Sequence, residues 1–129
     1  MSVLVDSSVW IAYFRGAPDV SPLDWLIEED IVAINALILA ELTPPLLVRG
    51  ERKLVSLLRE IACLPLALDW DDITHMQVMC LRHGINKVGI PDLIIVQQVA
   101  QLGLTLWSLD RHFDLLARHA PFSLFGKNH

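Results

Sequence analysis

The sequence predicts an α/β fold, a three-layer α/β/α sandwich around a central parallel sheet of four or five strands. Three observations carry that expectation. Short β-compatible apolar runs alternate with segments of helical length and patterning, and Gly, Pro, Asn and Asp punctuate the chain between them. Parallel neighbours need crossovers, and the helices that make those crossovers cover the faces of the sheet. Finally, 129 residues without repeats, low-complexity runs or long Gly/Ser linkers fit one domain spanning 1–129.

The elements follow in order. Ser2–Val5 is a short β-compatible run ending at Asp6, after which Ser7 or Ser8 is expected to cap a helix over Val9–Phe14 that Gly16 closes. Residues 18–29 read as a second short helix, with Ser21 at the N-cap and Pro22 in the first turn. Ile31–Ile34 is a buried strand. Asn35 then caps a helix over Ala36–Leu42, which Thr43-Pro44-Pro45 is expected to break, with Thr43 capping a new one. Glu51–Ile61 is an amphipathic helix, and Leu64–Leu68 reads as the third strand. A helix near Asp71–His83 places Ile73, Met76 and Cys80 on one face and ends at Gly84. Pro91 opens a helix to Leu102 that is apolar on more than one face and is therefore expected to be covered on two sides; Gly103 stops it. Leu104–Trp107 is a fourth strand, Arg111–Arg118 a short helix and Phe122–Leu124 an edge strand.

Bulk properties exclude several classes. The hydrophobic fraction of 53% implies a large core together with apolar surface kept for a partner. The longest apolar stretch, Ile31–Ala40, carries Asn35 and stops at Glu41, short of the ~20 residues that a spanning helix needs, so no membrane partner is expected. Asp6 falls where a secretory signal would be apolar, which makes the cytoplasm the expected compartment. Cys63 and Cys80 lack a Cys-x-x-Cys spacing and read as two buried thiols. The five histidines show neither His-Glu-x-x-His nor zinc-finger spacing, which argues against a zinc enzyme. A net charge of -5 argues against a broadly basic nucleic-acid surface, so any such contact must come from a local basic rim and metal ions.

The informative residues are acids at element ends. Asp6 ends the first strand, Asp92 begins a helix and Asp110 closely follows the fourth strand, on the side where α/β folds bind ligands; Glu41 comes from the third helix. Two carboxylates about 5 Å apart repel by roughly 3 kcal/mol at an effective dielectric near 20. Four together must therefore raise their own pKa values or bind a cation. A hard divalent ion, Mg2+ or Mn2+, suits oxygen ligands, activates water and offsets charge developing on a phosphodiester.

Val-Asp-Ser-Ser-Val-Trp at 5–10, Leu-Ile-Leu-Ala-Glu-Leu at 37–42, Pro-Asp-Leu-Ile-Ile-Val at 91–96 and Ser-Leu-Asp-Arg-His-Phe at 108–113 occur in an order that resembles the PIN-domain ribonuclease family, in particular the VapC-type toxins of type II toxin–antitoxin systems. That resemblance implies that Asp6, Glu41, Asp92 and Asp110 are the catalytic acids and hold Mg2+ or Mn2+ directly or through water. It further implies an endoribonuclease that hydrolyses RNA phosphodiesters with metal-activated water, and as partners a small cognate antitoxin and a second copy in a homodimer. Ser8 would support Asp6 and Ser108 would orient the fourth acid, although either serine also serves as a turn or helix cap. Ser108 stands where the family more often has Thr, and Thr43-Pro44-Pro45 departs from the family pattern by truncating the helix of Glu41. Asp114, four residues past Asp110, can replace or supplement it if both lie on one helix face.

Arg15, Lys87 and Arg111 lie near the expected catalytic edge and could contact RNA phosphates, or serve solubility alone. Asp69, Asp71 and Asp72 read as helix-start caps, and the acidic stretch at 19–30 as solvated helix ends. Two other functions compete. A receiver-like signalling module would use Asp69 as phosphoacceptor, but it wants an acidic pair after the first strand, where Ser7 and Ser8 follow Asp6. A catalytically idle PIN-like binding module has no need to keep four acids.

Overall fold

The computed structural model of the chain describes residues 2–126. Five strands, β1 (Val3–Val5), β2 (Val32–Ile34), β3 (Ala62–Cys63), β4 (Thr105–Trp107) and β5 (Ser123–Leu124), pair in parallel in the order β3-β2-β1-β4-β5. Among the described residues seven α-helices connect them: α1 (Ser7–Phe14), α2 (Pro22–Glu28), α3 (Ala36–Val48), α4 (Arg52–Glu60), α5 (Trp70–Arg82), α6 (Ile90–Leu102) and α7 (His112–Ala117). The chain steps outward from β1 to β3, then returns to lay β4 on the other side of β1. Right-handed crossovers therefore put α1–α4 on one face and α5–α7 on the other, and the reversal makes a switch point between β1 and β4, where open α/β sheets form a crevice.

Burial explains why three-residue strands suffice. Val3, Leu4 and Val5 are fully buried, as a central parallel strand covered on both faces requires. Trp10, Leu23, Leu26, Ile38, Leu93 and Phe113 close over the sheet from the helices. Helix α6 buries Leu93, Ile95, Val96 and Val99, so it is enclosed on more than one side; Ala100 is exposed.

Several local expectations are corrected. Asp6, not Ser7 or Ser8, is the N-cap of α1, and it makes no side-chain cap bond. Ser21 caps α2 in position only, with no side-chain bond, and the segment before it is a separate 3-10 turn at Pro18–Val20. Asn35 does cap α3, accepting from the Ile38 amide at 2.9 Å. That helix is not broken at Thr43-Pro44-Pro45 but runs on to Val48 with both prolines inside. Prolines at 44 and 45 leave the carbonyls of Ala40 and Glu41 without intrahelical donors. Packing outweighs the loss: Leu42 and Leu46 are buried on either side of the prolines, and α3 packs against α1 and α4.

The third strand is Ala62–Cys63 and not Leu64–Leu68. The Leu64 amide still donates to the Ile34 carbonyl at 2.8 Å, but Pro65 has no N–H with which to extend the ladder. Side-chain amides of α6 hold the following stretch instead. Gln98 Nε2 donates to the carbonyls of Leu64 and Pro65 at 3.3 and 3.2 Å, and Gln101 Nε2 to that of Ala67 at 3.1 Å. Gln97 accepts from the Asp69 amide at 3.1 Å and donates to its carbonyl at 2.9 Å. Cys80 is buried as expected, which pushes its thiol pKa up, whereas Cys63 is exposed; both are free thiols. Among the described residues no helix is long and apolar enough to cross a membrane.

Candidate active site

Asp6 leaves the carboxyl end of β1 beside that of β4, with its amide donating to the Trp107 carbonyl at 2.9 Å. Its side chain is 4% exposed, a burial that a carboxylate tolerates only with partners. Ser8 Oγ donates to Asp6 Oδ2 at 3.0 Å and Ser108 Oγ to the same oxygen at 2.8 Å. Each hydroxyl has one proton, so the 3.3 Å approach between Ser8 and Ser108 carries no donor once both serve Asp6. Their lone pairs accept from the amides of Leu109, at 3.0 Å to Ser8, and of Asp110, at 3.1 Å to Ser108. The two serines thus tie the loop after β4 to the start of α1, anchor one oxygen of Asp6 and leave Oδ1 without a donor among the described residues.

Asp92 stands in the first turn of α6, where its Oδ2 accepts the Gly89 amide at 3.1 Å. Pro91, in the same turn, needs no amide partner there. Glu41 projects from α3 as an exposed side chain, and Asp110 lies exposed in the turn before α7. All four acids share one field. The Glu41 carboxyl is pushed up by partial desolvation and then by the charges of Asp6, Asp92 and Asp110. Asp110 is likewise raised by desolvation and by Asp6 and Asp92, against an opposing pull from His112. Asp110 precedes α7 while Asp114 lies within it, so α7 itself does not carry both acids.

His112 was explained away in the sequence with the other histidines. It opens α7, and its Nε2 lies 3.4 Å from Asp92 Oδ2, an ion-pair contact whenever the ring is protonated. Its position two residues past Asp110 was the available signal. Arg15, Lys87 and Arg111 are exposed and make no ion pair with the four acids among the described residues. Arg15 lines a groove of about 430 Å3 whose walls are α1, α3 and α4, together with Glu41, Arg49 and the apolar Ile11, Phe14, Leu42 and Leu46. Arg49 was not singled out from sequence. Asp69 caps α5, accepting the Asp72 amide at 3.1 Å, which accounts for its carboxylate without a phosphoacceptor role.

The donor chemistry at this edge suits a hard divalent cation: the four acids offer oxygen ligands, and desolvation together with their mutual repulsion holds two of the carboxyls above their usual range. Among the described residues no three acidic, imidazole or thiol side chains stand close enough to encircle an ion directly. Mg2+ usually keeps several waters and takes only one or two carboxylates directly, so its binding does not require three side chains around the ion.

A family model described as PIN domain matches residues 3–119. No curated protein matches the chain in sequence. Among solved structures, VapBC2 from Rickettsia felis bound to a promoter DNA fragment superposes with a TM-score of 0.75 at 15% identity, over 96% of this chain and 97% of that one. DNA-bound VapBC from Salmonella typhimurium gives 0.67 at 16% identity, over 96% of each chain. FitAcB from Neisseria gonorrhoeae gives 0.65 at 22% identity, again over 96% of each. Identities this low speak for the shared fold alone.

Proposed function

The chain belongs to the PIN domain family, whose model covers residues 3–119, and from that premise we propose that it is a divalent-metal-dependent endoribonuclease, the VapC-type toxin of a toxin–antitoxin pair. The observation that carries this reading is the shared field of Asp6, Glu41, Asp92 and Asp110, four acids from separate elements that act on one another at the switch point. When bound, Mg2+ or Mn2+ would activate a water for in-line attack and neutralise charge on the phosphodiester. Asp6 and Asp92 would hold the ion through the oxygens that their fixed hydrogen bonds leave open. Glu41 and Asp110, exposed and with raised proton affinity, would serve as acceptors for the proton lost by an attacking water. Arg15, Lys87 and Arg111 would meet backbone phosphates around this edge.

An antitoxin partner is part of the same reading, supported by solved relatives described as VapBC and FitAcB assemblies. The groove beside Glu41 offers apolar walls for a peptide segment, next to acids that a basic side chain could reach. A homodimer is consistent with exposed apolar side chains such as Trp25, Trp70 and Leu81.

Purified protein freed of antitoxin is expected to cleave RNA with Mg2+ or Mn2+, to stop with EDTA, and to lose at least about a hundredfold in rate on Asp6→Asn. Cleavage that survives both treatments would exclude the mechanism. Sizing the same preparation, alone and with the product of an adjacent short reading frame, reads out the assembly.

A further inference from the structure

Of the two acids proposed to hold the metal, Asp92 is the less firmly anchored, since Asp6 accepts two hydrogen bonds and Asp92 one. Its Oδ2 receives one bond from the Gly89 amide at 3.1 Å, while Glu41 and Asp110 lie within range of its charge. A carboxylate repelled by its neighbours swings away unless donors from elsewhere fix it. One such donor comes from α7. His112 and Asp92 are both 24% exposed, and the Nε2 of His112 lies 3.4 Å from Oδ2, the oxygen that Gly89 already holds. That nitrogen is itself fully shielded from solvent and has no hydrogen-bond partner within bonding geometry. A shielded N–H costs free energy until it is satisfied, and Asp92 Oδ2 is the acceptor it approaches. The ring cannot drift far, because it packs on Phe113 at 4.7 Å between centroids and Phe113 is 1% exposed.

We infer that His112 is a positioning residue for Asp92, donating from Nε2 to Oδ2 so that this oxygen is held by α6 and α7 together and Oδ1 is kept for a divalent cation. The inference rests on the metal-dependent reading above. It does not depend on the charge of the ring, since the Nε2-protonated neutral tautomer donates as the cation does. At 3.4 Å the pair is already close, and a small rotation of the ring that turns the N–H toward Oδ2 converts the contact into a hydrogen bond. The arrangement follows the logic by which outer partners of a metal-binding carboxylate set its orientation and the affinity of the site.

The test is Mn2+ binding to the full-length, antitoxin-free protein, read from the paramagnetic resonance signal of free aqueous Mn2+, with thermal melts alongside. His112→Phe keeps a ring against Phe113 and removes the donor, whereas His112→Gln restores an N–H at comparable reach. The Phe variant is expected to melt cooperatively and bind Mn2+ about tenfold more weakly, with Gln returning most of the loss. Should Phe not fold, His112→Leu against His112→Gln makes the same comparison. Equal affinity in wild type and the donor-free variant overturns the inference, as does an equal loss with Gln and with Phe, which would make the role one of shape. Asp6→Asn separates the premises. If wild type takes up no Mn2+, or Asp6→Asn binds it as tightly, the metal reading falls and the positioning role with it; if only His112 proves indifferent, the metal reading stands.

Discussion

Glu41 and Asp110 pay for their location in stability, and the direction is fixed by linkage. Both carboxyls bind protons more readily when folded, because desolvation comes first and neighbouring carboxylates add to it. Ionising them therefore destabilises the folded state above their raised pKa, and that cost fades as the pH falls through it toward the ordinary carboxylate range. Glu41→Gln and Asp110→Asn are each expected to raise the melting temperature of ion-free protein at neutral pH by about 2 °C, or roughly 0.5 kcal/mol, since solvent screens such exposed charges. The gain should vanish in mildly acidic buffer, and added Mg2+ should stabilise wild type more than either variant. A variant that melts at or below wild type in EDTA would mean that the acids do not burden the fold. The placement of Asp6 at a strand end and of Asp92 at a helix start was legible in the sequence, because an acid that ends a buried strand has few structural uses. The serine contacts were only half legible: the sequence allowed Ser8 as a cap or as a support of Asp6, and only coordinates show its proton going to Asp6. His112 was hidden because its partner is 20 residues away in the chain, on another helix.

Strand and helix identities could be read from periodicity and punctuation wherever backbone and side chains agree, as at Asn35 and Gly103, which begin and end their helices as expected. They misled wherever tertiary contacts override a local rule. Leu64–Leu68 has a strand's composition, yet its carbonyls are met by Gln98 and Gln101 and not by a neighbouring strand. Nothing local announces that two glutamines of a later helix do this. Pro44 and Pro45 misled in the opposite sense, since a helix that is buried at Leu42 and Leu46 runs through them. Pro45→Ala restores an N–H toward the Glu41 carbonyl. A proline in a helix interior costs about 3 kcal/mol, of which up to ~1 is returned through the stiffer unfolded chain, so this substitution should stabilise by about 2 kcal/mol in denaturant titration. No change, or a loss, would show that the Glu41 carbonyl is already satisfied from outside the helix. Cleavage measured on the same variant would report whether α3 must carry its prolines to present Glu41.

An acidic protein that acts on a polyanion must confine its attraction to a small area. The chain carries ten Lys and Arg against fifteen Asp and Glu, and Arg49, Arg52 and Lys53 cluster around Glu51 where α3 meets α4. At the edge bearing the four acids the sequence placed only Arg15, Lys87 and Arg111, and none of them is paired with those acids. Each cation that neutralises a single-stranded phosphate contributes about −0.7 to the slope of log affinity against log salt. Three such contacts give roughly −2, far shallower than a protein that binds along a broad basic face. Binding of a labelled single-stranded RNA to the Asp6→Asn protein, followed by fluorescence anisotropy across a salt series, measures this slope without cleavage. The combined substitution of Arg15, Lys87 and Arg111 by Ala should flatten it nearly to zero. A slope near about −4 would instead require the α3–α4 cations as well, and the RNA path would then cross the groove beside Glu41 that the proposed function gives to the antitoxin. Partner and substrate would compete there for the same cations, Arg15 and Arg49.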